Sequence, residues 1–160
     1  MARLRTRGPD DAWQRLREII TWFDEVQSEG GYRAYYRDPK RGTMQGNNTA
    51  GGIGLDAEFV ESVLVPNVML YGFLGFEPNP KGFAVNPRLP EEWPMLEIRG
   101  IHFHDAMLNV SVARDEITIT ATNAPAGPMM IELPPEFARL SYGTPIKLQK
   151  GVPLRSTRRE

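Results

Sequence analysis

The chain has 160 residues, 41% apolar and 24% charged, and its 19 basic and 20 acidic residues leave a formal net charge of −1. That length suits one ordinary domain or a segment joined to a small one, and the near-neutral balance excludes the basic footprint of a dedicated nucleic-acid binder. There is no cysteine, which excludes disulfides, thiol catalysis and cysteine-held zinc.

No run of about eighteen apolar residues is present to span a membrane. The opening residues, MARLRTRGPDDAW, lack the apolar stretch of a secretory signal. If Met1 is the true start, the expected location is cytoplasmic. Basic residues gather at both ends (Arg3, Arg5, Arg7 and Arg155, Arg158, Arg159). They read as frayed, solvated termini rather than as a phosphate-binding arm.

The first predicted element is a helix. Asp10 and Asp11 follow Gly8-Pro9 and are placed to cap a helix running to about Ser28. Leu16, Ile19, Ile20, Phe23 and Val26 recur at helical spacing and form one apolar stripe, and Gly30-Gly31 closes the element. Residues 30 to 55 then read as a loop that holds seven of the fifteen glycines together with Tyr32, Tyr35, Tyr36, Gln45, Asn47 and Asn48. A loop of that length in a compact domain is functional or disordered, and its aromatic content favours order.

A second helix is expected over the apolar run from Val63 to Phe76, opened or kinked by Pro66 and ended by Gly75. It is apolar nearly all round, so it is expected to be buried between neighbours. Two helices do not close a helical core. At about 25 cal/mol per Å² of apolar surface, a wet outer face would forfeit several kcal/mol. Partner helices are therefore expected, in a missing amino-terminal portion or a separately encoded chain.

From residue 77 the pattern changes to β. Twelve of the fourteen prolines lie from Pro66 onward. Short alternating runs predict strands near 83–86, 96–103, 107–113, 116–122, 128–133 and 145–149, with Arg114-Asp115-Glu116 at a hairpin turn. Regular spacing of short strands predicts an antiparallel sandwich. The expected domains are 1–76 and 77–160.

Residues Gly72 to Phe76 (GFLGF), then Gly82 through Pro87, Leu89, Pro90 and Trp93, carry a specific resemblance. The chain resembles the C-terminal part of the (α/α)-barrel glycoside hydrolases, the group of trehalase-, rhamnosidase- and maltose-phosphorylase-like enzymes. The likeness runs over roughly residues 10 to 135 and is specific for the architecture, not for the sugar. It implies an α+β fold, the last helices of an (α/α) barrel followed by a small antiparallel β-sandwich. It also implies a glycosidic bond of an oligo- or polysaccharide as the target, with carbohydrate and the rest of the barrel as partners.

Glycosidases use two carboxyl groups flanking the scissile bond. Asp56, Glu58 and Glu61 approach the second helix. Glu58 and Glu61 share a face near its amino-terminal end, where the helix dipole favours the charged form. Glu58 is the candidate catalytic carboxylate, with Asp56 and Glu61 as substrate contacts; acidic residues in a first turn also serve as plain capping features. Many members of the group carry a Glu in a G-x-x-E-Y segment before the last helix, and this chain has Ala34 at the corresponding place. Either the base lies at Glu58, or it lies upstream, or the chain is not catalytic; a general acid from an earlier barrel loop would be absent in any case, so the chain alone is expected to be inactive.

Tyr32, Arg33, Tyr35, Tyr36, Gln45, Asn47 and Asn48 suit a sugar site, aromatic faces stacking on pyranose rings while amides and Arg meet hydroxyls. The plainer reading is that the tyrosines pack the loop. The glycines at 51, 52 and 54 lack the Lys-Ser/Thr of a nucleotide loop. His102 and His104 alternate onto one strand face next to Asp105, but no third histidine exists. Neither a metal nor another cofactor is expected. The alternatives to a hydrolase segment are a non-catalytic carbohydrate-binding or subunit-assembly module, and a truncated product without independent function.

Overall fold

The computed structural model describes residues 2–35, 37, 38, 40, 65–137 and 144–158. They divide into two compact units, Met1–Val68 and Met69–Glu160. The first holds helices α1 (Ala2–Thr6), α2 (Pro9–Ser28), α3 (Tyr32–Tyr35) and α4 (Val65–Asn67).

α2 forms where the apolar stripe predicts it, and its ends have clear causes. Pro9 sits in the first turn, where its missing N–H is no loss. The N-cap is Gly8 at φ 91, with no side-chain cap hydrogen bond, so Asp10 and Asp11 are first-turn residues and not caps. There they complement the helix dipole. At the other end Gly31 N–H donates to Val26 O (2.9 Å) and Gly30 N–H to Gln27 O (3.0 Å). That is the Schellman pattern, and it needs the positive φ that Gly30 and Gly31 supply.

The amino-terminal segment is not frayed. α1 buries Leu4 and pairs Arg3 with Asp11 at 3.1 Å. Val26 is fully buried, with Trp22, Phe23 and Tyr35 packed on it.

Among the described residues the second unit is a β-sandwich of seven strands: β1 (Phe76–Asn79), β2 (Gly82–Val85), β3 (Met95–Phe103), β4 (Ala106–Ala113), β5 (Glu116–Ala121), β6 (Met130–Glu132) and β7 (Pro153–Thr157). One sheet has the order β1-β2-β6 and the other β3-β4-β5-β7. All pairings are antiparallel except β2 with β6, which is parallel.

Strict alternation fills the core. Leu108, Val110 and Val112 of β4 and Ile117 and Ile119 of β5 face inward, each 0–1% exposed. β3 would lose its phase without the bulge between Ile98 and Ile101, where Gly100 takes φ 70 and donates to Asn109 Oδ1 (3.0 Å). The bulge inserts a residue, so Leu96 and then Ile101 and Phe103 all face the core. Phe103 meets Phe76 and Phe83 of the other sheet edge-on, at 6.0 and 5.4 Å between centroids. These rings join the two layers.

Two strands differ from the sequence reading. The 145–149 segment makes a single bridge, Ile146 with Met129, and no ladder. Pro145 has no N–H to give. The chain then turns at Gly151 (φ 73) and the edge strand is β7, whose buried position is Ser156, its hydroxyl donating to Phe137 O. β1 contains Pro78, which an edge strand tolerates. In β1 the alternation signal is blurred by a proline that the edge position allows, and in β7 by a buried serine whose hydroxyl Phe137 O satisfies.

Candidate functional site

The sequence-predicted site residues fall mostly outside the described residues: Tyr36, Gln45, Asn47, Asn48, Asp56, Glu58 and Glu61 are all among the remainder. Tyr32 and Arg33 lie in α3, the four-residue helix that starts directly after the Gly30-Gly31 cap. The segment from Gly31 to Tyr35 is therefore helical at its start and not a loop throughout, closed by Ala34 and Tyr35 amides on Gly31 O (3.1 and 3.0 Å). Tyr35 packs against the Val26 cluster, which fits the packing reading of that tyrosine.

The residues that carried the resemblance are well placed, and their work is structural. The helix continues from α4 into a π turn over Val68–Phe73 and ends there, one residue short of Leu74. Gly75 then adopts φ 65, and a Cβ on it would lie 1.9 Å from Asn86 O. Only glycine satisfies both conditions. Asn86 N–H donates to Gly75 O (2.9 Å) and Arg88 N–H to Phe73 O (2.8 Å). The β1–β2 ladder thus runs on into the connector that follows β2 and takes hold of the helix end.

The same logic explains the rest of the motif. A Cβ on Gly82 would meet Met130 O at 1.8 Å, so Gly82 is what lets β6 lie parallel to β2. Phe83 and Val85 are fully buried. Trp93 lies against Phe73 at 4.9 Å, its turn closed by Trp93 N–H on Pro90 O (3.0 Å). Arg114, in the β4–β5 turn, donates to Glu91 O and braces that turn.

The second helix is not buried on all sides. Gly72, Phe73 and Leu74 are buried, whereas Val68, Met69 and Leu70 are half-buried and Tyr71 is 43% exposed. Burial follows the packing of the sandwich and stops where that packing ends.

His102 and His104 do not share a strand face. β3 ends at Phe103, and His104 sits in the following turn at φ 51. Asp105 accepts from Ala126 N–H (2.6 Å) through its carboxylate and from Asn123 Nδ2 (2.6 Å) through its carbonyl. Asn123 also accepts the Met107 amide (2.8 Å). This polar cluster ties the β3–β4 hairpin to the 122–126 loop. Among the described residues no group of three or more His, Asp or Glu stands together to hold a metal. No helix among them is long and apolar enough to cross a membrane.

Among the described residues the clear shifts in acidity lie in one surface pair. A hydrogen bond from Arg99, and then its charge, hold the Glu97 carboxyl below its usual range, and Arg99 is raised in turn. Both side chains are solvent-facing, so the pair is a surface feature.

The class defined by these observations is a small two-sheet β-sandwich domain entered directly from a helix end. Residues 77–140 match the family model of the C-terminal domain of glycosyl hydrolase family 65. Among solved structures, a putative kojibiose phosphorylase from the human microbiome matches with 19% identity and a TM-score of 0.43. The match covers 70% of this chain and 14% of that one, so the chain spans a small part of that protein's length. No curated protein matches the sequence.

Proposed function

We propose that the chain serves as the terminal segment of a glycoside hydrolase or phosphorylase, supplying late barrel helices, a substrate-facing loop and the supporting sandwich. The observation that carries this reading is the family match over 77–140, directly behind a helix whose end is gripped by the matched region. In this reading the 30–61 region faces the sugar. Tyr32, Arg33, Tyr36, Gln45, Asn47 and Asn48 bind it, with Asp56 and Glu61 beside them, and Glu58 acts as one of two carboxylates. The second carboxylate belongs to the helical barrel portion, supplied by another part of the protein or by a separate chain.

The chemistry sets the test. A lone carboxylate leaves either protonation of the leaving group or activation of the attacking oxygen undone. The purified 160-residue chain is expected to show no release of reducing sugar or sugar phosphate from oligosaccharides. The chain assembled with its barrel portion is expected to turn over. There Glu58→Gln is expected to lower kcat by about 100-fold or more while leaving sugar binding, read by calorimetry, in place. Turnover by the isolated chain, or full activity of the Glu58→Gln assembly, would refute the reading.

A further inference from the structure

The helix that enters the sandwich does not finish as an α-helix. Across Val68–Phe73 it widens to a π turn, and the Leu74 amide reaches back five residues to Met69 O at 2.9 Å. π turns are rare, occur singly within α-helices and collect at functional sites. An uncommon backbone geometry persists only where its surroundings over-determine it.

Here the surroundings are one-sided. Phe73, which closes the turn, and Leu74, which follows it, are fully buried. The Phe73 ring lies under Trp93, its carbonyl takes the Arg88 amide, and the Trp93 turn is braced by Arg114 on Glu91 O. Apart from Arg114, these contacts come from the single connector 86–93. Toward the start of the turn, Met69 and Leu70 are half-buried and Tyr71 is 43% exposed. Among the described residues the contacts that hold the turn gather at its Phe73 end, which is the asymmetry a two-register element needs.

We propose that Val68–Phe73 is a register switch latched by the 86–93 connector. With Trp93 seated on Phe73 the turn is held in the π register. When the connector releases, the turn tightens to α and the Leu74 amide moves to Leu70 O. Closing the turn over one residue fewer winds its start by about 100° relative to Phe73, so Met69 and Leu70, within the turn, present a different side of the helix. Trp93 and Arg114 are positioning residues in this device, acting through Phe73. The connector thereby selects which apolar face of the helix is offered for packing. A ligand or partner that lifts Trp93 would shift the population by its differential affinity for the two registers.

The test reads the acceptor of one hydrogen bond in the full 160-residue chain. Scalar coupling across the bond identifies the carbonyl that holds the Leu74 amide, and dispersed β4 and β5 amides report that the sandwich is folded. In the wild type the coupling is expected to Met69. In Trp93→Ala it is expected to move to Leu70, and in Arg114→Ala both couplings are expected together. If Trp93→Ala does not fold, Arg114→Ala decides. The proposal is overturned if Met69 remains the sole acceptor in the folded variants. It is equally overturned if the wild type already uses Leu70, or if the Leu74 amide loses both partners while the sandwich stays intact.

Discussion

The helical unit and the sandwich dispose of their apolar residues in opposite ways. Among the described residues the first buries four apolar side chains, Leu4, Ala12, Leu16 and Val26, and the second buries twenty. On α2, Ile20 is 40% exposed, and Trp13, Ile19, Trp22 and Phe23 are only half-buried. Alternating strands fold over each other and close a core from their own residues. A helix stripe closes nothing until other helices cover it. The region with the family match is also the one that completes its own core, so its stability is read within this chain.

The largest expected effect tests the tightest point of the sandwich. Gly82→Ala places a methyl group on the Met130 carbonyl and is expected to destabilise the β unit by about 4 kcal/mol or more, read as a lower urea midpoint with loss of the β6 amide protection. A cost below about 1 kcal/mol would mean that the parallel β2–β6 pairing does not hold the sandwich together. Phe83→Ala removes a fully buried ring that meets both Phe76 and Phe103. It is expected to cost about 3–5 kcal/mol by the same measurement.

Leu16→Ala probes the other side of the comparison. It is expected to cost about 2 kcal/mol, with faster hydrogen exchange in α2 while the β4 amides keep their wild-type rates. Equal loss of protection in both regions would erase the contrast between a self-completed core and a partly covered one.

The smallest effect belongs to the surface. Glu97 bonds Arg99 at 2.9 Å at the protein surface, where ion pairs contribute little. Because the Glu97 pKa is lowered in the folded chain, its contribution is present above the ordinary carboxylate range and lost as pH falls through the folded value. Glu97→Gln is therefore expected to leave the pH profile of the urea midpoint unchanged within error, and a clear shift on the acid side would show the pair to matter.

How much was legible in the sequence varies by element. α2 follows from its stripe, and β4 and β5 from clean alternation, because one residue type at one period decides which face is buried. β1 and β7 escape that logic: Pro78 and Ser156 interrupt the pattern, and only their neighbours make those positions suitable. The His102–His104 pair misleads because a turn at His104 ends the alternation. Of the candidate sugar site, residue types alone suggested the chemistry. Tyr35 shows how an aromatic in that list also serves as core.

The sequence by itself determined the division into a helical and a β region, the Gly-Gly end of α2 and the GFLGF connection with its resemblance. These are local rules of period, cap and turn. Only the tertiary structure decided why the motif has its glycines and its tryptophan. Gly75 and Gly82 are required by backbone atoms at Asn86 and Met130, and Trp93 by Phe73, partners that lie 11, 48 and 20 residues away along the chain. Contacts between distant segments leave no local period to read, and the grip of the sandwich on the helix end is made of them.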